Sequence, residues 1–126
     1  MAAEVKRATR VGERLRVELA GLVAHELGDP RVVGVIVARV KVSDDLRHAR
    51  VYFRLLEGGD DPARRAEAKT GLERAAGMLR REVTSRAGLR YAPELKFHYD
   101  EGQEAGDRIE ALLEEVRRAR RARDKG

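Results

Sequence analysis

A chain of 126 residues has material for one hydrophobic core, since a second would need more than the roughly 100 to 150 residues of an average domain. Charged residues make up 39% of it and Lys plus Arg exceed Asp plus Glu by 27 to 22, a net charge of +5 that favours polyanionic partners. The absence of Cys excludes disulfides, thiolate metal sites and a thiol nucleophile. No stretch approaches the ~18 consecutive apolar residues of a membrane span, and Met1 to Arg10 lacks the apolar run of a signal peptide; a soluble, cytoplasmic protein is expected.

Val11, Leu15, Leu19, Leu22 and Val23 recur at helical spacing and predict a first helix over Glu4 to Leu27, stopped by Gly28, Asp29 and Pro30. Val33 to Ser43 is rich in β-branched residues and predicts a strand with Ile36, Ala38, Val40 and Val42 on one side and Arg39 and Lys41 on the other. Ser43, Asp44 and Asp45 carry turn chemistry, and Ala49 to Leu56 alternates Ala49, Val51, Phe53 and Leu55 with Arg50, Tyr52 and Arg54, completing a hairpin.

Asp61 suits an N-cap and Pro62 the first helical position. In the helix that follows, Leu72, Ala75, Ala76, Leu79 and Val83 share a face, but Gly77 costs on the order of 1 kcal/mol relative to Ala and predicts a kink or break. Leu95, Phe97 and Tyr99 alternate with Lys96, His98 and Asp100 as a third strand. A last helix over Gln103 to Arg121 is apolar only at Ile109, Leu112, Leu113 and Val116, and beyond Glu115 the arginine-rich sequence is expected to fray. Three strands with one apolar face, covered by helices, make a two-layer α+β domain.

The spacings of His25, His48 and His98 match no zinc or metalloprotease pattern. His98 shares a strand face with Lys96 and Asp100, which suits acid/base work in a small ribonuclease or, more simply, a solvated strand. There is no phosphate-binding Gly-rich loop and no nucleotide cofactor is expected; Asp44, Asp45, Asp60 and Asp61 read as turn and cap residues rather than a metal site.

Basic residues instead gather on definable surfaces. Lys6, Arg7, Arg10 and Arg14 flank the apolar stripe of the first helix, and Arg74, Arg80 and Arg81 surround Ala75, Ala76 and Gly77. Either these small residues let a phosphate backbone approach main-chain N–H groups, with the arginines gripping adjacent phosphates, or Gly77 merely permits a tight helix crossing. The outer sheet face collects Arg39, Lys41, Arg50, Arg54 and Lys96 around Tyr52, and reads either as a base-stacking basic surface or as an ordinary wet face. Arg117 to Lys125 reads as a nonspecific RNA anchor or a solvated end; an architectural DNA-binding protein is a further reading of the same charge.

Asp29-Pro30-Arg31, Val42-Ser43-Asp44-Asp45-Leu46 followed by Ala49 and Val51-Tyr52, Ala75-Ala76-Gly77 with Leu79-Arg80, Leu89-Arg90, Pro93-Glu94-Leu95 with Phe97, and Arg108-Ile109 with Leu112-Leu113 together resemble the ribosome-binding factor A family, from about Arg7 to Leu113. That resemblance implies a type II KH-like domain over 1–113, of order helix-strand-strand-helix-kinked helix-strand, in which an Ala-x-Gly kink at Ala75 to Gly77 replaces the usual Gly-x-x-G loop. A basic C-terminal extension over 114–126, partly disordered, would follow. It also implies a monomeric, non-catalytic factor without cofactor or metal that binds the 30S ribosomal subunit and 16S rRNA near the decoding region and 3′ end, assists late maturation, rRNA processing and cold adaptation, and is released by an assembly GTPase. The arginine-rich end matches no shared motif of the family. RNA-binding residues expected on this basis are Lys6, Arg7, Arg10, Arg14, Arg74 to Gly77, Arg80 and Arg81, reading phosphate and shape more than sequence.

Overall fold

The computed structural model describes residues 2–125, with side chains at residues 3, 5–102 and 112–123. Along the chain, α1 (Ala2–His25) is followed by a 3-10 turn at Pro30–Val32, then β1 (Val35–Val42), β2 (His48–Leu55), α2 (Pro62–Arg86), β3 (Glu94–Tyr99) and α3 (Glu101–Lys125). The sheet order is β1-β2-β3, with β1 and β2 antiparallel and β2 and β3 parallel. A parallel neighbour needs a crossover, and α2 supplies it, which places α2 on the same face as α1. The architecture is α+β, with helices over one face of the sheet.

The core lies between that face and the helices. Leu15, Leu19 and Leu22 of α1, Leu72, Leu79 and Val83 of α2, and Val51 and Phe53 of the central strand are all buried in one cluster. Each such side chain contributes about 1.5 to 3 kcal/mol by leaving water. Phe53 meets Tyr99 edge-on at 5.6 Å between ring centroids, which locks the end of β3 onto the middle of β2.

The strand phase of β1 differs from the expected one. A bulge falls between Val37 and Arg39, so Val37 is buried and Ile36 is 43% exposed, while Val40 and Val42 still face inward. One extra residue, Ala38, reverses the alternation at that point, and a run as uniformly apolar as Val35-Ile36-Val37 carries no period from which to foresee it.

Of the kink or break expected at Gly77, the break is absent: α2 is one uninterrupted helix of 25 residues, capped by the Asp61 carboxylate accepting from Ala63 N–H with Pro62 at its start. Leu72 and Leu79 are buried on either side of Gly77, and their burial outweighs the glycine's propensity cost of about 1 kcal/mol. Two other glycines set how closely the helices pack. A Cβ at Gly12 would lie 2.7 Å from the carbonyl oxygen of Val40 in β1, and one at Gly71 would lie 2.8 Å from Val32 Cγ1.

Asp100, expected on the wet strand face with His98, is instead buried just past β3, its N–H donating to Phe53 O at 2.8 Å. The basic end expected to fray past Glu115 continues as helix α3 to Lys125, where Arg117 and Arg121 pair with Glu114 within one or two turns. Leu112, Leu113 and Val116 are exposed there; the side chains of Arg108 and Ile109 lie outside those described.

Asp29, which opens the 3-10 turn, accepts from Arg31 N–H at 2.9 Å and forms an ion pair with the Arg31 guanidinium at 2.5 Å. The Arg31 side chain first, its backbone N–H second and more distant charges such as Arg74 last hold the Asp29 carboxyl down at about 2. A carboxylate with a depressed folded pKa lends stability above its unfolded pKa and loses it as pH falls through the folded one, so this contact should persist through mild acid and fail between about pH 4 and 2. Acid unfolding of Asp29→Asn, compared with the parent, should show less pH dependence across that window; identical curves would mean the contact does not couple to folding.

Candidate nucleic-acid interface

Much of the arginine content turns out to be structural. Arg64 donates to the carbonyls of Arg31 and Val33 at 2.8 and 2.7 Å, tying the start of α2 to the turn before β1. Arg65 lies 3.9 Å over the Tyr99 ring, bonds the carbonyl of Gly59 and reaches Glu101 at 2.7 Å. Arg86 is surrounded by Glu18, Glu26 and Glu82, joining α1 to α2; the Glu26 contact does most to raise its pKa above the ordinary arginine value.

This division sorts the residues expected to bind RNA. Arg80, although exposed, donates from Nε to Pro93 O at 2.9 Å and from Nη2 to Ala92 O at 2.8 Å, so its guanidinium holds the loop before β3. Arg14 donates to Arg86 O at 3.0 Å and pairs with Glu18 at 3.2 Å. By contrast Lys6, Arg7, Arg10, Arg74 and Arg81 are exposed and have no ion pair or side-chain hydrogen bond among the described residues.

Gly77 is exposed, and a Cβ there would meet only Arg81 Nη1, at 3.7 Å. It therefore serves no tight helix crossing; the close approach in α2 is at Gly71, against the 3-10 turn. What Gly77 leaves is bare helix surface with the Arg81 guanidinium beside it. Ala75 and Ala76 are half-buried, and Ala76 lines an open groove of about 350 Å³ between α2 and the edge strand β3, with Lys69 and Glu73 on the helix side and Lys96 on the strand side. Lys69 was not among the expected residues; the helical period places it four residues before Glu73, but nothing in the sequence says that β3 packs alongside.

Arg14 meets α2 at Arg86, nine residues past Gly77 and so about 14 Å along the helix at 1.5 Å per residue. Lys6, Arg7 and Arg10 lie further toward the start of α1. His98 is half-buried with its ring 5.7 Å from that of Tyr52, and no group of three or more His, Cys, Asp or Glu able to hold a metal occurs among the described residues.

The family model described as ribosome-binding factor A matches residues 7–113. The chain belongs to that family. A ribosome-binding factor A from Sorangium cellulosum is 50% identical over 117 residues, covering 93% of this chain and 94% of the relative, and one from Syntrophobacter fumaroxidans is 44% identical over 113 residues, covering 90% and 96%. Among solved structures, the crystal structure of ribosome-binding factor A from Thermus thermophilus superposes with a TM-score of 0.62 at 25% identity, over 73% of this chain and 94% of that one. A homology model of the Thermus thermophilus factor, fitted into the cryo-EM map of a complex of that factor with the 30S subunit, superposes with a TM-score of 0.58 at 25% identity, over 72% and 92%. No helix among the described residues is long and apolar enough to cross a membrane.

Proposed function

We propose that this protein binds the small ribosomal subunit and its 16S rRNA, near the decoding region and 3′ end, and assists late maturation and rRNA processing by stabilising one assembly state, without catalysing a reaction. The observation that carries this is the exposed Gly77 surface on α2, flanked by the unpaired Arg74 and Arg81 beside the groove against β3, in a chain whose residues 7–113 match the family. A relative of the same fold has been fitted into the density of a 30S complex, which supports the small subunit as the partner.

Residues 1–113 act as a KH-like RNA-binding unit in this reading, with 114–126 as a basic extension. The protein works as a cytoplasmic monomer, and an assembly GTPase provides release. Arg74 and Arg81 contact phosphates, Ala75 to Gly77 admit the backbone, and Lys6, Arg7 and Arg10 form a second electrostatic contact. Arg80 and Arg14 position these elements rather than gripping phosphates, because carbonyls and Glu18 already fix the orientation of their guanidinium groups.

Sedimentation with isolated small subunits, large subunits and whole ribosomes at one fixed near-physiological salt tests the assignment. Saturable co-migration with the small subunit alone is expected. The double variant Arg74→Glu/Arg81→Glu should fold normally, lose about five- to tenfold in affinity, and bind with a salt dependence shallower by roughly one to two in log–log slope. Equal binding to all three particles, or an unchanged affinity of the double variant, would refute it.

A further inference from the structure

The sheet face that carries no helix is organised in cross-strand rows. Register places Lys41 beside Arg50 and Arg50 beside Lys96, so three cations lie side by side across all three strands. Directly opposed like charges destabilise a sheet unless an opposite charge is supplied. Among the described residues Lys41, Arg50, Arg54 and Lys96 have no carboxylate partner; the acid nearest in register is Glu94, one row away, which lies 3.7 Å from His48 Nδ1. An open depression of about 630 Å³ runs along the cationic row.

The adjoining row is planar rather than charged throughout. Arg39 pairs with Tyr52 and Tyr52 with His98: the guanidinium lies 4.1 Å over the Tyr52 ring, and the imidazole lies 5.7 Å away at an interplanar angle of 35°. Arg39 is held there by the buried Asp100 carboxylate at 3.4 Å. The guanidinium covers one face of the Tyr52 ring, so its own outer plane, backed by the phenol and flanked by the imidazole, is the platform on which an unpaired base can stack, while the next row neutralises its phosphates.

We propose that this outer sheet face is a second RNA-binding surface, which takes a single-stranded segment with phosphates on Lys41, Arg50 and Lys96 and a base on the Arg39–Tyr52–His98 platform. That the polyanion is RNA rests on the ribosomal reading above; the surface adjoins the groove between α2 and β3, with which it shares Lys96 and His98, and differs from it in Lys41, Arg50, Arg39 and Tyr52. An acidic protein segment would satisfy the cations but has nothing to match the planar row.

The full chain, titrated with a labelled oligouridylate of about twelve nucleotides at each of several salt concentrations, tests this. Lys41→Gln/Arg50→Gln/Lys96→Gln should bind about tenfold more weakly, with a salt slope shallower by about two, and should melt no lower than the parent because the opposed charges are gone. The chain has no Trp, so intrinsic emission comes from its three tyrosines, and a base stacked on the platform that Tyr52 backs should quench it. Tyr52→Leu should abolish that quench and weaken binding about three- to tenfold without altering the salt slope. Parent-like oligouridylate affinity in the triple variant, or equally tight binding of polyglutamate by the parent, would overturn the proposal. Subunit sedimentation is read separately, so a failure of the ribosomal reading would appear there and leave the oligouridylate result standing.

Discussion

Replacing Gly12 by alanine should lower the stability of the protein by about 1 to 2 kcal/mol, although alanine is the better helix former by nearly 1 kcal/mol. Gly12 is buried where α1 crosses β1, and the added methyl would sit 2.7 Å from the Val40 carbonyl oxygen, a backbone atom with no rotamer to move away. Helix and strand must separate by several tenths of an ångström, and Leu15 and Leu19, fully buried on the same helix, lose dispersion contacts along the whole seam. The same substitution at Gly77 should have the opposite sign, a gain of about 0.5 to 1 kcal/mol, because that position is exposed helix with open space around it. Thermal melts of Gly12→Ala and Gly77→Ala side by side decide this: a Tm lowered by roughly 5 °C for the first and raised by a few degrees for the second is expected. A raised Tm for Gly12→Ala would mean that α1 packs further from β1 than the structure has it. Should Gly77→Ala also weaken binding to small subunits while stabilising the fold, the bare helix surface at Gly77 is retained for contact and not for packing.

Arg80→Ala should destabilise the protein by about 2 kcal/mol, the value of two hydrogen bonds from a charged donor to main-chain carbonyls. Pro93, one of the two acceptors, is fully buried, and the loop it belongs to delivers β3 to its parallel place beside β2. Lysine should recover only part of the loss, since a single ammonium cannot reproduce the forked geometry that reaches Ala92 and Pro93 together. Urea midpoints measure the first effect. Subunit affinity, measured under conditions where the variant is folded, should stay within about threefold of the parent, in contrast to the larger losses at Arg74 and Arg81. A variant as stable as the parent but defective in binding would move Arg80 back among the residues that touch RNA.

These two side chains also show where local sequence stops being informative. Arg80 and Arg81 are adjacent, chemically identical and on the same basic stretch, and sequence alone assigned both to phosphates. They diverge because consecutive helical residues point about 100° apart, so one meets the loop before β3 and the other lies beside Gly77. The glycines behave alike: helix propensity ranks Gly12, Gly71 and Gly77 the same, and only the element packed against each distinguishes a close approach from open surface.

The amino-acid sequence by itself determined the element order, the inward alternation of Ala49, Val51, Phe53 and Leu55, the apolar stripe of α1, the cap at Asp61 and Pro62, and the family, through motifs spread from Asp29 to Leu113. All of these are set by period, capping chemistry or spacing, which act within a few residues and leave a direct trace in the chain. Only the tertiary structure decided the bulge that turns Ile36 outward, the unbroken course of α2 through Gly77, the burial of Asp100, and the engagement of Arg14 and Arg80 by main-chain carbonyls. It also turns Lys41, Arg50 and Lys96, which the alternation puts on one face, into one row, since the register that sets β3 parallel beside β2 is encoded in no single segment.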